Sequence, residues 1–104
     1  MILEERTYTI RTGLVQEYLA LYEREGYAPH RRFLGDPVGF FVTEVGTLNQ
    51  VVHLWRYDSM ADREQRRAKL AQAPNWGDYL DAATPFLLRM ENRIMVPTAF
   101  SPMK

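Results

Sequence analysis

With a period of two, ILEERTYTI (residues 2–10) places Ile2, Glu4, Arg6, Tyr8 and Ile10 on one face of a strand and Leu3, Glu5, Thr7 and Thr9 on the other. Thr12-Gly13 breaks the pattern. From Leu14 to Gly26 the period becomes helical: Leu14, Tyr18, Leu21 and Tyr22 form a stripe that Val15 and Leu19 widen. Gly26 stands where such a helix would stop. YAPHRRFLGDP (residues 27–37) predicts irregular chain, or one more short helical piece opening at Pro29. Val38–Gly46 and Leu48–Asp58 predict two further strands, and the tight connection from Gly46 to Asn49 makes them a hairpin. Ser59 with Asp62 three residues on resembles a capping box and predicts a helix from Met60 to about Ala73, which Pro74 ends. Asn75 is placed to cap a second helical piece whose face carries Trp76, Tyr79, Leu80 and Ala83, and Pro85 stops or kinks it. Phe86–Val96 predicts the last strand, with Leu88, Met90, Asn92, Ile94 and Val96 alternating; PTAFSPMK is a tail.

The order strand, helix, strand, strand, helix, strand predicts an α+β chain: a ferredoxin-like antiparallel sheet with its helices on one face, and one domain over residues 1–104. The uncovered face of such a sheet is normally polar. Here Val51, Trp55 and Tyr57 oppose Val52 and Leu54, Phe40 and Val42 oppose Phe41 and Val45, and Met90, Ile94 and Val96 oppose Leu87 and Met95. Strands apolar on both sides predict a second cover, and a face-to-face homodimer is the simplest closed one. The alternative is an uneven surface with some exposed apolar residues.

Composition narrows the function classes. The 13 basic and 13 acidic residues cancel, so nothing points to nucleic acid or to an anionic membrane surface. Cysteine is absent, which excludes disulfides and thiolate chemistry. The acidic start MILEERTYTI is unlike a signal peptide, and no apolar run reaches membrane-spanning length, so a soluble cytoplasmic protein is expected. No metal site is expected, because His30 and His53 lie far apart and no acidic cluster has ligand spacing. No cofactor is expected either.

The residues able to carry chemistry cluster on one strand pair. His53 shares a face with Val51, Trp55 and Tyr57; it suits a general base or a ligand contact, and equally a buried imidazole satisfied by a neighbour. The first strand carries Glu4, Arg6 and Tyr8 on one face, and in a ferredoxin-like sheet it lies beside the third, so Glu4 and Arg6 are expected to meet His53 or Tyr57 across the pair. Glu44 and Asn92 are candidate additions from the second and last strands. Together these groups make either a site for a polar ligand or a polar network that fixes register. His53 is expected both to line a pocket and to bond a neighbouring polar side chain. The arginines of DREQRRAKL read as a solvated, ion-paired helix face rather than a phosphate site. Trp76 is expected to anchor the core rather than touch a ligand.

The block GFFVTEVGTLNQVVHLWRYDSMADREQRRAKL, then APNW, ENRIMVP and a closing FSP, resembles the NIPSNAP family, as does the opening Glu4, Arg6, Thr7, Tyr8. The resemblance covers nearly the whole chain. It implies a dimeric α/β-barrel built from two ferredoxin-like protomers. Animal members of that family are linked to mitochondria and vesicle traffic; a single short domain looks like a bacterial-type member, mostly of unknown function. Two readings of function follow. One is a small-molecule site in a cleft between sheet and helices, of which a cofactor-independent mono-oxygenase is a narrower form. The other is a structural or protein-interaction dimer without catalysis.

Overall fold

The computed structural model describes all 104 residues. Its centre is β1 (Ile2–Ile10), paired antiparallel with β3 (Gln50–Tyr57) on one side and β4 (Leu87–Met95) on the other; β2 (Gly39–Val42) completes the order β2-β3-β1-β4 beyond β3. The register sets Glu4 opposite Trp55, Arg6 opposite His53 and Tyr8 opposite Val51. The alternating face of β1 that mixes apolar and charged groups is thus the covered one: Ile2, Glu4, Tyr8 and Ile10 are buried with Val51, His53, Trp55 and Tyr57. The hairpin is shorter in strand than its apolar pattern suggests. β2 ends at Val42, and the connection to β3 turns through Gly46 (φ 126°) and Asn49 (φ 63°), leaving Val45 and Leu48 exposed.

Gly26 does not end the first helix. α1 (Val15–Leu21) runs through a π turn (Tyr22–Gly26) into α2 (Tyr27–Leu34) with right-handed helical dihedrals at both junctions. The buried positions explain the wider turn. Tyr18, Tyr22, Gly26, His30 and Leu34 recur every fourth residue. At about 100° per residue a uniform α-helix would carry Leu34 roughly 160° away from Tyr18. One extra residue in the turn removes most of that drift and keeps the five positions on the sheet side. Gly26 is there for close approach: a Cβ would lie 2.7 Å from Tyr79 Cζ and 2.9 Å from Tyr22 Cδ1. The helix stops instead at Gly35, whose φ of 90° is in the left-handed region. Gly26→Ala is expected to cost about 1–3 kcal/mol by overpacking. A urea midpoint unchanged within error would show that Tyr79 is not held against this turn.

α3 (Met60–Ala71) begins as its sequence signal indicates: Ser59 Oγ accepts from the Asp62 amide at 3.1 Å, and Asp62 Oδ2 accepts from the Asp58 amide at 3.0 Å. α4 (Trp76–Ala83) begins differently. Asn75 precedes it in a left-handed conformation (φ 66°) and makes no side-chain cap. Thr84–Phe86 forms a short 3₁₀ turn, with Pro85 in it, that delivers the chain to β4. No helix is long and apolar enough to cross a membrane.

The molecule is a two-layer slab, 18 Å through its shortest axis. On the uncovered side of the sheet, Leu3, Val52, Leu54 and Met95 are half-buried and Phe41 is 54% exposed. The rest of the β1–β4 half of that side is polar, with Arg93 bonded to Glu5 at 3.1 Å. The second face is therefore apolar over β2 and β3 and at the Leu3–Met95 end of β1 and β4, and polar over the rest of that strand pair.

Candidate functional site

Glu4 organises the covered face. Its carboxylate is fully buried, and Oε2 accepts three bonds: from Arg63 Nη2 and Asn92 Nδ2 at 2.8 Å each and from Arg6 Nη1 at 3.0 Å. Burial pushes its pKa up; the bonds from Arg63 and Asn92 and the charges of Arg6 and Arg63 outweigh it and hold the group down at about 2. Glu4 is ionised at neutral pH. Arg6 turns its Nε to Tyr8, donating to the phenol oxygen at 2.9 Å.

Both histidines lie beside this cluster, and both are neutral near pH 7. His53 is 2% exposed and sits in an aromatic cage, with ring centroids of Phe40 at 4.6 Å, Tyr22 at 4.7 Å and Tyr8 at 5.1 Å. Burial, then the Arg6 charge, push it down to about 3. His30, on α2, shares a 2.8 Å hydrogen bond between Nδ1 and the Tyr22 phenol, and its ring lies 4.7 Å from Trp76. Burial, then the repulsion His30 would meet from a protonated His53, then the Arg67 and Arg6 charges, push it down to about 3, with Glu4 pulling the other way.

Some of these groups line a cavity of about 280 Å³ between sheet and helices. Arg6, Tyr8, His53 and Met90 form its sheet wall; His30, Arg67, Trp76 and Tyr79 face them from the helices. A second, more open and more apolar hollow of about 590 Å³ lies between the π turn and β2, against Tyr22, Tyr27, Phe40 and Phe41. His53 is the one residue that lines both. A neutral imidazole between a charged chamber and an apolar one is suited to hydrogen-bonding a ligand, or to taking a proton from it.

Comparison with known proteins decides the family. The NIPSNAP family model matches residues 3–102. The chain belongs to the NIPSNAP family. It is 36% identical over 104 residues to the zebrafish (Danio rerio) protein NipSnap homolog 2, covering 99% of this chain and 35% of that protein. The chain spans about a third of the length of the curated relatives it matches, 35–41% for three of them. A crystal structure of a NIPSNAP family protein from Agrobacterium tumefaciens superposes with a TM-score of 0.95 at 46% identity, covering 99% of this chain and 98% of that one. A chain from Nitrosomonas europaea assigned as an antibiotic biosynthesis monooxygenase shares the ferredoxin-like α+β fold, with a TM-score of 0.67 over 93% of this chain and 98% of that one. At 10% identity the likeness is one of fold alone.

In this NIPSNAP chain the sequence candidates separate. Arg6, Tyr8 and His53 come together in the cavity wall. Glu4 and Asn92 stand behind it, bonded to each other. Trp55 and Tyr57 are buried core residues outside the lining: Trp55 packs 5.2 Å from the His30 ring, and burial raises the Tyr57 pKa. Glu44 does not join, because β2 ends before it and the loop carries it into solvent. His53 lines the cavity as expected, but its Nδ1 has no polar partner; His30 makes the polar bond instead. Trp76 is both things at once: it is buried, stacked 5.0 Å from Tyr79, and it forms cavity wall.

Sequence reasoning missed His30, Arg67 and Tyr79. Residues 27–37 read as irregular chain or as a short helical piece opening at Pro29; the helical reading is nearer the structure, but neither joins His30 to the first helix, although the every-fourth spacing from Tyr18 to Leu34 marks a continuous one. Arg63 and Arg67 belong to the helix read as solvated. Their spacing of four, with Leu70 three further on, is the signal that they share its inner face.

Proposed function

We propose that the sheet–helix cavity is the binding site of a small organic molecule. The observation that carries this reading is a partly open cavity with charged groups in its wall, two of whose lining residues, His53 and Arg67, keep a buried polar atom unsatisfied. His53 Nδ1 and Arg67 Nη1 on the lining are buried without a well-formed hydrogen bond, Arg67 having only the Tyr57 phenol near it, and Glu4 Oε1, Trp55 Nε1 and Arg63 Nε are orphaned in the layer behind. A network kept only to fix register would be expected to satisfy its members, since an orphaned buried polar group costs about 1–3 kcal/mol. Native mass spectrometry of the protein as purified tests the reading. A retained non-covalent adduct is expected, with lower occupancy in His53→Gln while that variant loses about 1–3 kcal/mol of stability at most. Occupancy unaffected by His53→Gln would count against the cavity.

The assembly is proposed to be a homodimer through the uncovered sheet face. Its apolar half around Leu3, Val52, Leu54 and Phe41 supports this, as do the exposed Val45, Leu48, Val96 and Phe100 of the hairpin loop and the tail. Light scattering coupled to size exclusion should give about twice the 12.2 kDa of one chain. A species that stays at 12.2 kDa at micromolar concentration contradicts it.

A further inference from the structure

We propose that the cavity takes a small organic anion: a carboxylate on a compact aromatic or branched apolar body. This rests on the cavity being a ligand site and adds the class of ligand.

The charge balance around the cavity is lopsided. Arg6 and Arg67 line it, and behind Arg6 stands the single carboxylate, Glu4, which also holds Arg63, so the cluster has three guanidinium groups to one carboxylate. Glu4 is committed: its Oε2 already serves Arg6, Arg63 and Asn92. Arg67 lines the cavity and belongs to no ion pair; its one polar protein neighbour is the neutral Tyr57 phenol, which leaves its charge unbalanced and its Nη1 without a well-formed hydrogen bond. The histidines add no negative charge to offset this. The cluster therefore holds two positive charges in excess, in surroundings where an unpaired charge is expensive. A cationic ligand would add to the repulsion and a neutral one would leave it standing. An anion relieves it, and the guanidinium fork matches a carboxylate in shape as well as charge.

The rest of the lining sets the body. Trp76, Tyr79, Leu80, Leu87 and Met90 contribute ring and aliphatic surface. At the ~30 Å³ that a water takes up in the liquid, about 280 Å³ has room for roughly ten non-hydrogen atoms. That room fits a single-ring or branched-chain acid better than a nucleotide or a long acyl chain.

Benzoate and benzamide, alike in shape but different in charge, make the test. Each is titrated into the wild-type protein while the Trp76 side-chain resonance is followed by NMR. Benzoate is expected to bind at least about tenfold more tightly than benzamide, the gain of a charge-assisted pair over a neutral one. Arg67→Gln should bring the two affinities together. Benzamide binding as tightly as benzoate would overturn the anion class and leave the cavity standing. Neither compound moving Trp76 would overturn both. The comparison is made within the wild-type protein, so it holds whether or not the Arg67 variant folds.

Discussion

Glu4→Ala is expected to lower the unfolding free energy by about 3–5 kcal/mol, the range for removing one partner of a buried ion pair. The carboxylate is fully buried and holds three donors on one oxygen. Its loss leaves the guanidinium groups of Arg6 and Arg63, only 14% and 17% exposed, facing each other without a counter-charge. Glu4→Gln keeps the shape but not the charge and should fall between the wild type and the alanine variant. Arg63→Met should cost less than Glu4→Ala, because Arg6 and Asn92 remain on the carboxylate. Urea denaturation with an unchanged m value reads these differences. A loss under about 1 kcal/mol for Glu4→Ala would mean the pair behaves as an exposed one.

The second large effect is on acid stability. His30 and His53 are held at about 3 in the folded protein, against an ordinary 6.5. Below pH 6.5 the unfolded chain takes up protons that the folded chain refuses, so the stability present above that pH is lost as the pH falls toward 3. By pH 5 the loss is roughly 2 kcal/mol per histidine. Glu4, held at about 2 against 4.5, adds its own loss only below pH 4.5. Melting temperature should therefore drop steeply between pH 6.5 and pH 5, before any carboxylate of this cluster titrates. His53→Gln should remove about half of that slope, although it also lowers stability at neutral pH. A melting temperature that is flat from pH 7 to pH 5 would show that neither imidazole is sealed from protons in the folded state.

Local pattern was enough for much of this. The period of two in residues 2–10, the Ser59–Asp62 cap and the proline at 85 mark their elements within a residue or two, because each signal is decided by neighbours in the chain. The pairing of Arg6 with His53 followed from the topology that those elements imply. What local pattern could not carry was long-range. Gly26 looks like a helix stop until Tyr79, fifty-three residues on, is known to press against it. Once the helix is cut there, His30 falls into a separate stretch, irregular or helical from Pro29, and its place on the helix wall of the cavity disappears from view. Arg67 was hidden for a similar reason: charge on a helix reads as solvated unless a partner such as Glu4 on another element draws that face inward. Glu44 erred in the other direction, since an apolar run extended β2 past the point where pairing with β3 ends.

The central claim is that the cavity behind Arg6, His53 and Arg67 holds a small molecule. A high-resolution crystal structure of the protein as purified, with no ligand added, tests it most directly. The account predicts non-protein density between Arg67 and Trp76, within hydrogen-bonding reach of a guanidinium. A cavity closed by side chains, with Arg67 Nη1 and His53 Nδ1 both bonded to protein groups, would contradict it.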